Sequence, residues 1–404
     1  MAIVVGARTS ANTTATNQAI DMDKVMGYIQ DYQTPVNQFF IMNKSASKSV
    51  INKKGKFEWH EKSPLARSFV LAAALTGGGT TGTITLAAGD SGILRLGDTI
   101  FFDTTGDMVI VYGSADPTTS ATVRKIGTGN ITTVASGSTA RIISPAKTES
   151  YTRQTAVTNN ADNKYGYLQI GLDSISMSGR EDAGDSYTDG ESFSDLVKEK
   201  MEEIKKYDER KFLYNGAAYL DTSNNIGYSA GAKGVITSNV DYMTGDVDFD
   251  EIDGILEKVF AKNDGGQIVG YGGTKFMGKL SKILGEKFAY NTNDIIKVFG
   301  GLAKQGNNPE LLKYATPWGT VYFVWNPMLE GDIYGNSCLF LNQKHISLRY
   351  MKNDSKGSRK WRVEPDVQDL GSGYKQDQMM WDNGYQIKEE IKHGWLLPSE
   401  LKPA

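Results

Sequence analysis

Residues 193–215, FSDLVKEKMEEIKKYDERKFLYN, limit what this chain can fold into more than any other stretch. Ser192 stands where an N-cap belongs, and apolar residues recur at Phe193, Val197, Met201, Ile204 and Phe212, at steps near three to four. Lys and Glu fill most other positions, and Lys198–Glu202 and Glu202–Lys206 place opposite charges as same-face neighbours. The pattern predicts one amphipathic helix of roughly 35 Å, about twice the ordinary globular length. A rod of that length braces a flat molecule or a partner helix. No set of catalytic residue types lies beside it.

The surroundings are rich in turns. A chain of 404 residues with 44 glycines, and with Thr, Ser and Asn crowding the same stretches, points to many short strands rather than a helical bundle. The length suits two or three domains. A net charge of −3 excludes a surface that clings everywhere to nucleic acid, while leaving room for a local basic face. The only cysteine, Cys338, sits in the apolar run SCLFL; it excludes an intrachain disulfide and reads as a buried, inert thiol. The first residues, MAIVVGARTS, lack the pattern of a Sec-type signal, and no apolar run is long enough to make a membrane-spanning helix.

Along the chain, residues 1–18 are small and polar and predict a mobile arm. Residues 19–31 are weakly helical, and Thr34–Pro35 predicts a stop there, followed by the apolar anchor FFIMN at 39–43. Residues 44–56 are basic and turn-rich, and FEWHEK at 57–62 alternates as a strand does. From 76 to 144 charges thin out, and five short strands are expected at Thr81–Leu86, Thr99–Asp103, Met108–Tyr112, Ala121–Ile126 and Ala140–Ile143. Alternation of Ile84 with Leu86, Ile100 with Phe102 and Val109 with Val111 predicts a small antiparallel barrel or sandwich, inserted between extended polar stretches. LQIGLDSISMSG, beginning at Leu168, predicts a strand before the long helix. Beyond it, helices are expected at Asp250–Lys262 and Thr274–Phe288, and strands at QIVGYGG, Thr320–Trp325, Ser337–Asn342, Ile346–Tyr350, Lys360–Val363 and within Gly384–Trp395. Residues 235–345 thus read as a compact mixed α/β domain.

Three patterns imitate chemistry. GTKFMGK at Gly273–Lys279 has the spacing of a phosphate loop, but Leu280 occupies the place of the Mg²⁺-binding Ser or Thr, and Phe276 and Met277 fit a helix already under way. Asp246, Asp248, Asp250 and Glu257 match Ca²⁺-loop positions, but Glu251 stands where the sharp turn needs Gly; an acidic helix N-terminus explains them better. His60, His345 and His393 are not spaced as ligands. No catalytic residue, cofactor site or metal site is assigned. The positions that suit an acidic partner are Lys44, Lys48, Lys53, Lys54 and Lys56, with Glu58 and Trp59 beside them, and Arg359 and Arg362 flanking Lys360 and Trp361.

The order of these parts resembles the major capsid proteins of tailed double-stranded DNA bacteriophages, in the branch of the Hong Kong 97-like fold that carries a β-rich insertion in its extended loop. The resemblance rests on Thr34–Pro35 with the following Phe39–Phe40, on Glu58–Trp59, on Leu168–Gln169–Ile170 with Ser176–Met177–Ser178–Gly179, and on Asp208–Glu209 with Leu213–Tyr214–Asn215–Gly216. It covers residues 30–216, and the C-terminal half matches by its pattern of elements. The resemblance implies an α+β fold: an N-terminal arm at 1–56, an extended loop at 57–175 holding an all-β insertion domain at 76–144, a peripheral domain at 176–234 with its spine helix at 193–215, an axial domain at 235–345, and C-terminal strands at 346–404 returning to the peripheral domain. It implies a non-enzymatic virion protein that assembles in the host cytoplasm as hexamers and pentamers into an icosahedral or prolate head. Its partners would be its own copies, scaffolding, portal and decoration proteins, and packaged DNA through non-specific contacts, with no membrane and no cofactor. The sequence shows no long charged helical leader before the arm, so a fused scaffolding segment is not expected from it, and it assigns no Lys–Asn pair to cross-linking. The alternative is an accessory virion decoration, tail or adhesin protein, for which the Thr/Gly-rich segment alone would speak.

Overall fold

The computed structural model describes residues 34–402, apart from 66, 114–115, 148, 150–158, 185–191, 246, 266 and 289–311, and leaves the side chains of 44, 284–288 and 312–313 undescribed. The arm at 1–18 and the weak helix at 19–31 lie outside the described residues. The chain divides into two compact units, one formed by residues 60–164 and the other by the rest. Strands Lys56–Glu61 and Asp162–Tyr167, which carry the chain out to the smaller unit and back, pair with each other.

The smaller unit is an antiparallel sheet in the order Ser68–Val70, Thr139–Pro145, Asp98–Phe102, Met108–Val111, Ser120–Lys125, Thr81–Thr85. A bridge between Leu71 and Leu86 joins the first strand to the last and closes a barrel. Alternation fills it: Ile84, Ile100, Phe102, Val109, Val123 and Ala140 are buried inside. The closing strand Ser68–Val70 lies before residue 76, where the sequence reading began the insertion; three residues are too few to show a period.

The larger unit is built on two sheets. In one, the 14-residue strand Tyr374–Ile387 pairs antiparallel with Gln169–Ser178, with Ile346–Met351 and with Arg362–Glu364, and Ser47–Val50 adds parallel to Ile346–Met351. In the other, the order is Val240–Tyr242, Gly394–Leu397, Cys338–Asn342, Ile268–Gly272, Gly319–Trp325, Leu312–Thr316. Its central strands are buried on both faces, which is why IVGYG and CLFLN read as continuous apolar runs. Ile268, Cys338 and Phe340 face helix Phe249–Phe260, while Val269, Tyr271, Leu339 and Leu341 enter a second core with Phe40, Phe212 and Tyr385. Two chain passages, Cys338–Asn342 into Ile346–Met351 and Tyr374–Ile387 into Gly394–Leu397, tie the sheets together.

The long helix runs Phe193–Tyr214, and the Ser192 hydroxyl accepts from the Asp195 N–H as its cap. Ile204, Met201 and Val197 pack on Met379 and Trp381 of the long strand. Lys198 pairs with Asp195 at 2.8 Å rather than with Glu202, because the capping aspartate is one turn back and already fixed. Lys200 reaches both Glu203 and Asp173.

Two features go beyond the sequence reading. Thr34 is held away from helical angles, and Pro35 begins a further helix, Pro35–Met42, because the first helical position needs no N–H and suits proline's fixed φ. The C-terminal strand starts at Tyr374, well before Gly384, where polar KQDQ masks a ladder with Ser174–Met177.

Gly171 lies opposite Trp381, and a Cβ there would stand 2.0 Å from the indole. Gly254, inside helix Phe249–Phe260, has open space around it. Gly171→Ala is expected to destabilise the subunit by about 1–3 kcal/mol through overpacking. Gly254→Ala is expected to stabilise it by about 0.5–1 kcal/mol. Urea unfolding of the unassembled chain checks both signs.

Candidate functional site

The last turns of the long helix leave the amphipathic pattern. Asp208, Glu209, Lys211, Phe212 and Leu213 are all buried, so charged residues face inward just where the helix meets both sheets. Helix Pro35–Met42 needs a partner here. Thr34 makes no side-chain cap, and the Glu209 carboxylate takes that role from 173 residues away, accepting from the Val36 N–H at 3.1 Å and the Asn37 N–H at 2.8 Å. Asn326 Nδ2 donates to the same carboxylate at 2.8 Å. Asn37 Nδ2 donates to the Lys205 carbonyl, and the Tyr385 hydroxyl lies 3.1 Å from both Asn37 Oδ1 and the Asp208 carbonyl.

Asp208 anchors the second half of the junction. Lys211 Nζ donates to its Oδ1 at 2.7 Å, and Asn383 Nδ2 to its Oδ2 at 2.9 Å. Trp361 Nε1 also donates to Oδ2. Lys360 closes the arrangement from the C-terminal side: its ammonium donates to Ser47 Oγ at 2.9 Å and to the Phe40 carbonyl at 3.4 Å, and sits 4.5 Å from the Trp361 ring centre. Burial lowers the Lys360 ammonium to about 8. Residues near 40, 210, 360 and 385 thus converge on one polar knot inside an apolar core.

Burial raises the Glu209 carboxyl from 4.5 to about 7, against the pull of its three donors. The folded chain therefore holds a proton that the unfolded chain releases between those values, so this group's contribution to stability falls as pH rises from 4.5 to 7. His393 acts oppositely. Buried, with Nδ1 accepting from the Asn342 N–H and Nε2 donating to the Lys388 carbonyl, it is lowered from 6.5 to about 4, mainly by burial. Its contribution is complete above 6.5 and is lost as pH falls towards 4. Glu209→Gln, which keeps an acceptor without the charge, is expected to gain on the wild type by about 3 kcal/mol between pH 4.5 and 7. Subtracting the two proteins' denaturation curves at each pH isolates Glu209 from His393; a constant difference would refute the assignment.

The basic positions separate into two groups. Lys48, Lys53 and Lys54 are exposed along strand Ser47–Val50 and the turn after it, where Asn52 accepts from the Lys54 and Gly55 N–H groups. Lys56 pairs with Glu58 and lies 5.0 Å from the Tyr165 ring centre, while Trp59 stacks on Phe57. Arg359 and Arg362 lie elsewhere and bind carboxylates of their own chain. Arg359 reaches Asp354 and Asp382; Arg362 reaches Asp354 at 2.6 Å and also Glu364.

The imitating motifs have local explanations. In GTKFMGK the N–H groups of Gly273 and Phe276 donate to the Ser337 and Gly335 carbonyls, and a Cβ on Gly273 would stand 2.5 Å from the Gly335 oxygen. That glycine serves close backbone packing, and Lys275 pairs with Asp332. In the acidic stretch, Asp248 caps Phe249–Phe260 and Glu251 accepts from Thr244; Asp246 lies outside the described residues. His345 lies 3.0 Å from Asp264, which its cationic neighbours Lys344 and Lys392 hold well below the carboxylate range. Burial raises the Cys338 thiol. No group of His, Cys, Asp and Glu among the described residues could hold a metal ion, and no helix among them is long and apolar enough to cross a membrane.

Asn37, Lys211, Asn383 and Tyr385 were not marked by the sequence, and Trp361 was marked only as part of a basic cluster. A signal existed: the polar pair Asp382–Asn383 interrupts an apolar run, MMWDNGYQI, in a strand buried on both faces.

Solved structures similar to this chain include three of note. The capsid of a native GTA particle shares 9% identity over 96% of this chain and 97% of that one, with a TM-score of 0.47. A structure from Microbacterium phage Oxtober96 shares 12% identity over 97% and 99%, with a TM-score of 0.42. The holo-SrpI encapsulin complex of Synechococcus elongatus shares 9% over 59% and 77%, with a TM-score of 0.40. Likenesses of that size carry no functional weight. No curated relative matches. The family model described as SU10 major capsid protein, however, matches residues 8–400, which takes in both units and the buried knot. The chain belongs to the SU10 major capsid protein family, a structural and not an enzymatic family of the phage head shell.

Proposed function

We propose that this subunit assembles with its own copies, as hexamers and pentamers, into a closed icosahedral or prolate shell around double-stranded DNA. The family match across residues 8–400 carries the reading. The fold supports it: buried polar contacts hold a strap, a long helix and a C-terminal strand together, while large apolar side chains such as Ile170, Leu172 and Tyr219 remain exposed on the same unit. Many modest contacts of that kind sum by multivalency in a shell.

On this reading residues 1–56 are the arm and 57–175 the extended loop with its barrel. Residues 176–234 and 346–404 form the peripheral domain, and 235–345 the axial domain that meets its copies around the symmetry axes. Lys48, Lys53 and Lys54 face packaged DNA or an acidic neighbour through sequence-blind contacts. Scaffolding, portal and decoration proteins complete the set of partners, and assembly takes place in the host cytoplasm.

Electron microscopy and sedimentation of the expressed chain, alone and with its scaffold, test the reading. Capsomers or closed particles are expected; a monodisperse monomer at high concentration with scaffold present would overturn it. Replacing Lys53 and Lys54 together by Glu should leave the free energy of urea unfolding within about 0.5 kcal/mol of the wild type. It should also lower the DNA retained by filled shells and flatten its salt dependence. Unchanged retention would return both lysines to the solvated surface.

A further inference from the structure

Within the buried knot, an amine, a carboxamide and a carboxylate meet in one closed triangle. Lys211 Nζ donates to Asp208 Oδ1 at 2.7 Å and also to Asn383 Oδ1, so the amine lies against the carboxamide carbonyl. Asn383 Nδ2 donates to Asp208 Oδ2 at 2.9 Å. One carboxylate therefore touches both the proton that the amine must lose and the nitrogen that would leave. Asp208, Lys211 and Asn383 are 0%, 7% and 0% exposed, which keeps out the water that would compete. The carboxylate is held by the Trp361 indole, and the Tyr385 ring lies 5.4 Å from the ammonium. Phe40 and Phe212 pack against that tyrosine. An amine held beside a carboxamide, with a shared acid–base group, brings together the three groups that acyl transfer needs.

We propose that Lys211 and Asn383 become joined by an intrachain isopeptide bond, with Asp208 as the proton-transfer group. Lys211 passes a proton to Asp208, exchanging a buried ion pair for two neutral groups. The freed Nζ lone pair attacks Asn383 Cγ, and the carbonyl π pair moves to oxygen. Asp208 returns the proton to the amide nitrogen, and the Cγ–Nδ2 bond breaks as the carbonyl re-forms. Asp208 then removes the second Nζ proton, which ammonia carries away as ammonium. Lys-NH₃⁺ and Asn-CONH₂ have become one secondary amide and NH₄⁺, with no oxidant or cofactor consumed. The bond would fasten the long helix to strand Tyr374–Ile387 across 172 residues of sequence, within one subunit and not between neighbours.

Mass spectrometry of the purified full-length chain, unfolded in guanidinium, decides the matter. The expected intact mass is one ammonia, about 17 Da, below that of the sequence, with a proteolytic digest yielding a branched peptide that contains Lys211 and Asn383. Denaturing gels should show a monomer without a ladder. Lys211→Arg, which keeps a cation beside Asp208, and Asp208→Asn should both restore the sequence mass and abolish the branched peptide. Asn383 precedes Gly384, so a succinimide would lose the same mass. That product leaves two separate peptides and persists in Lys211→Arg. A wild-type chain at its sequence mass, or an ammonia loss that survives Lys211→Arg, overturns the proposal. The wild-type measurement stands even if a variant fails to fold.

Discussion

Everything in the larger unit depends on placing two carboxylates, Asp208 and Glu209, where water does not reach. A buried charge without partners is very costly, so the chain must bring donors to it from wherever it can. Those donors come from helix Pro35–Met42, from Asn326, from Lys211, from Trp361 and from Asn383. Segments distant in sequence are thereby held in one geometry that apolar packing alone would leave less defined. An apolar core accepts several arrangements of similar energy, whereas a network with every member satisfied accepts few. Placing two consecutive acids at the end of the rod makes the position of the strap helix a condition of its burial.

This explains which parts of the molecule could be read in advance. The rod, the barrel strands and helices Phe249–Phe260 and Thr274–Phe288 follow from periodicity, because along most of its length each buries one face and leaves the other to solvent. The central strands IVGYG and CLFLN announce themselves as unbroken apolar runs for the opposite reason, being covered on both sides. The knot escaped because its logic is long-range. DERK on a helix reads as a solvated face until Pro35–Met42 is laid over it, and nothing local in Asn383 says that its amide will meet Lys211. The helix that begins at Pro35 escaped for a related reason: the ring that forbids helix continuation also suits helix initiation, and the cap that supports this start comes from Glu209, far away in sequence.

The basic residues divide on the same principle. Arg359 and Arg362 looked like an external patch because their counter-charges, Asp354 and Asp382, lie several residues away in sequence or across the sheet. The run from Lys48 to Lys54 has no such nearby acids in its own turn and remains solvent-facing. Charge clusters that resemble each other as strings can thus be spent inwardly or left outward, and folded partners decide which.

The barrel is joined to the remainder through two strands, Lys56–Glu61 and Asp162–Tyr167, that lie side by side. Outgoing and returning chain therefore pass within a ladder's width of one another. A module with neighbouring ends can be spliced out there for a plain hairpin, or traded for a foreign domain, with no gap to bridge.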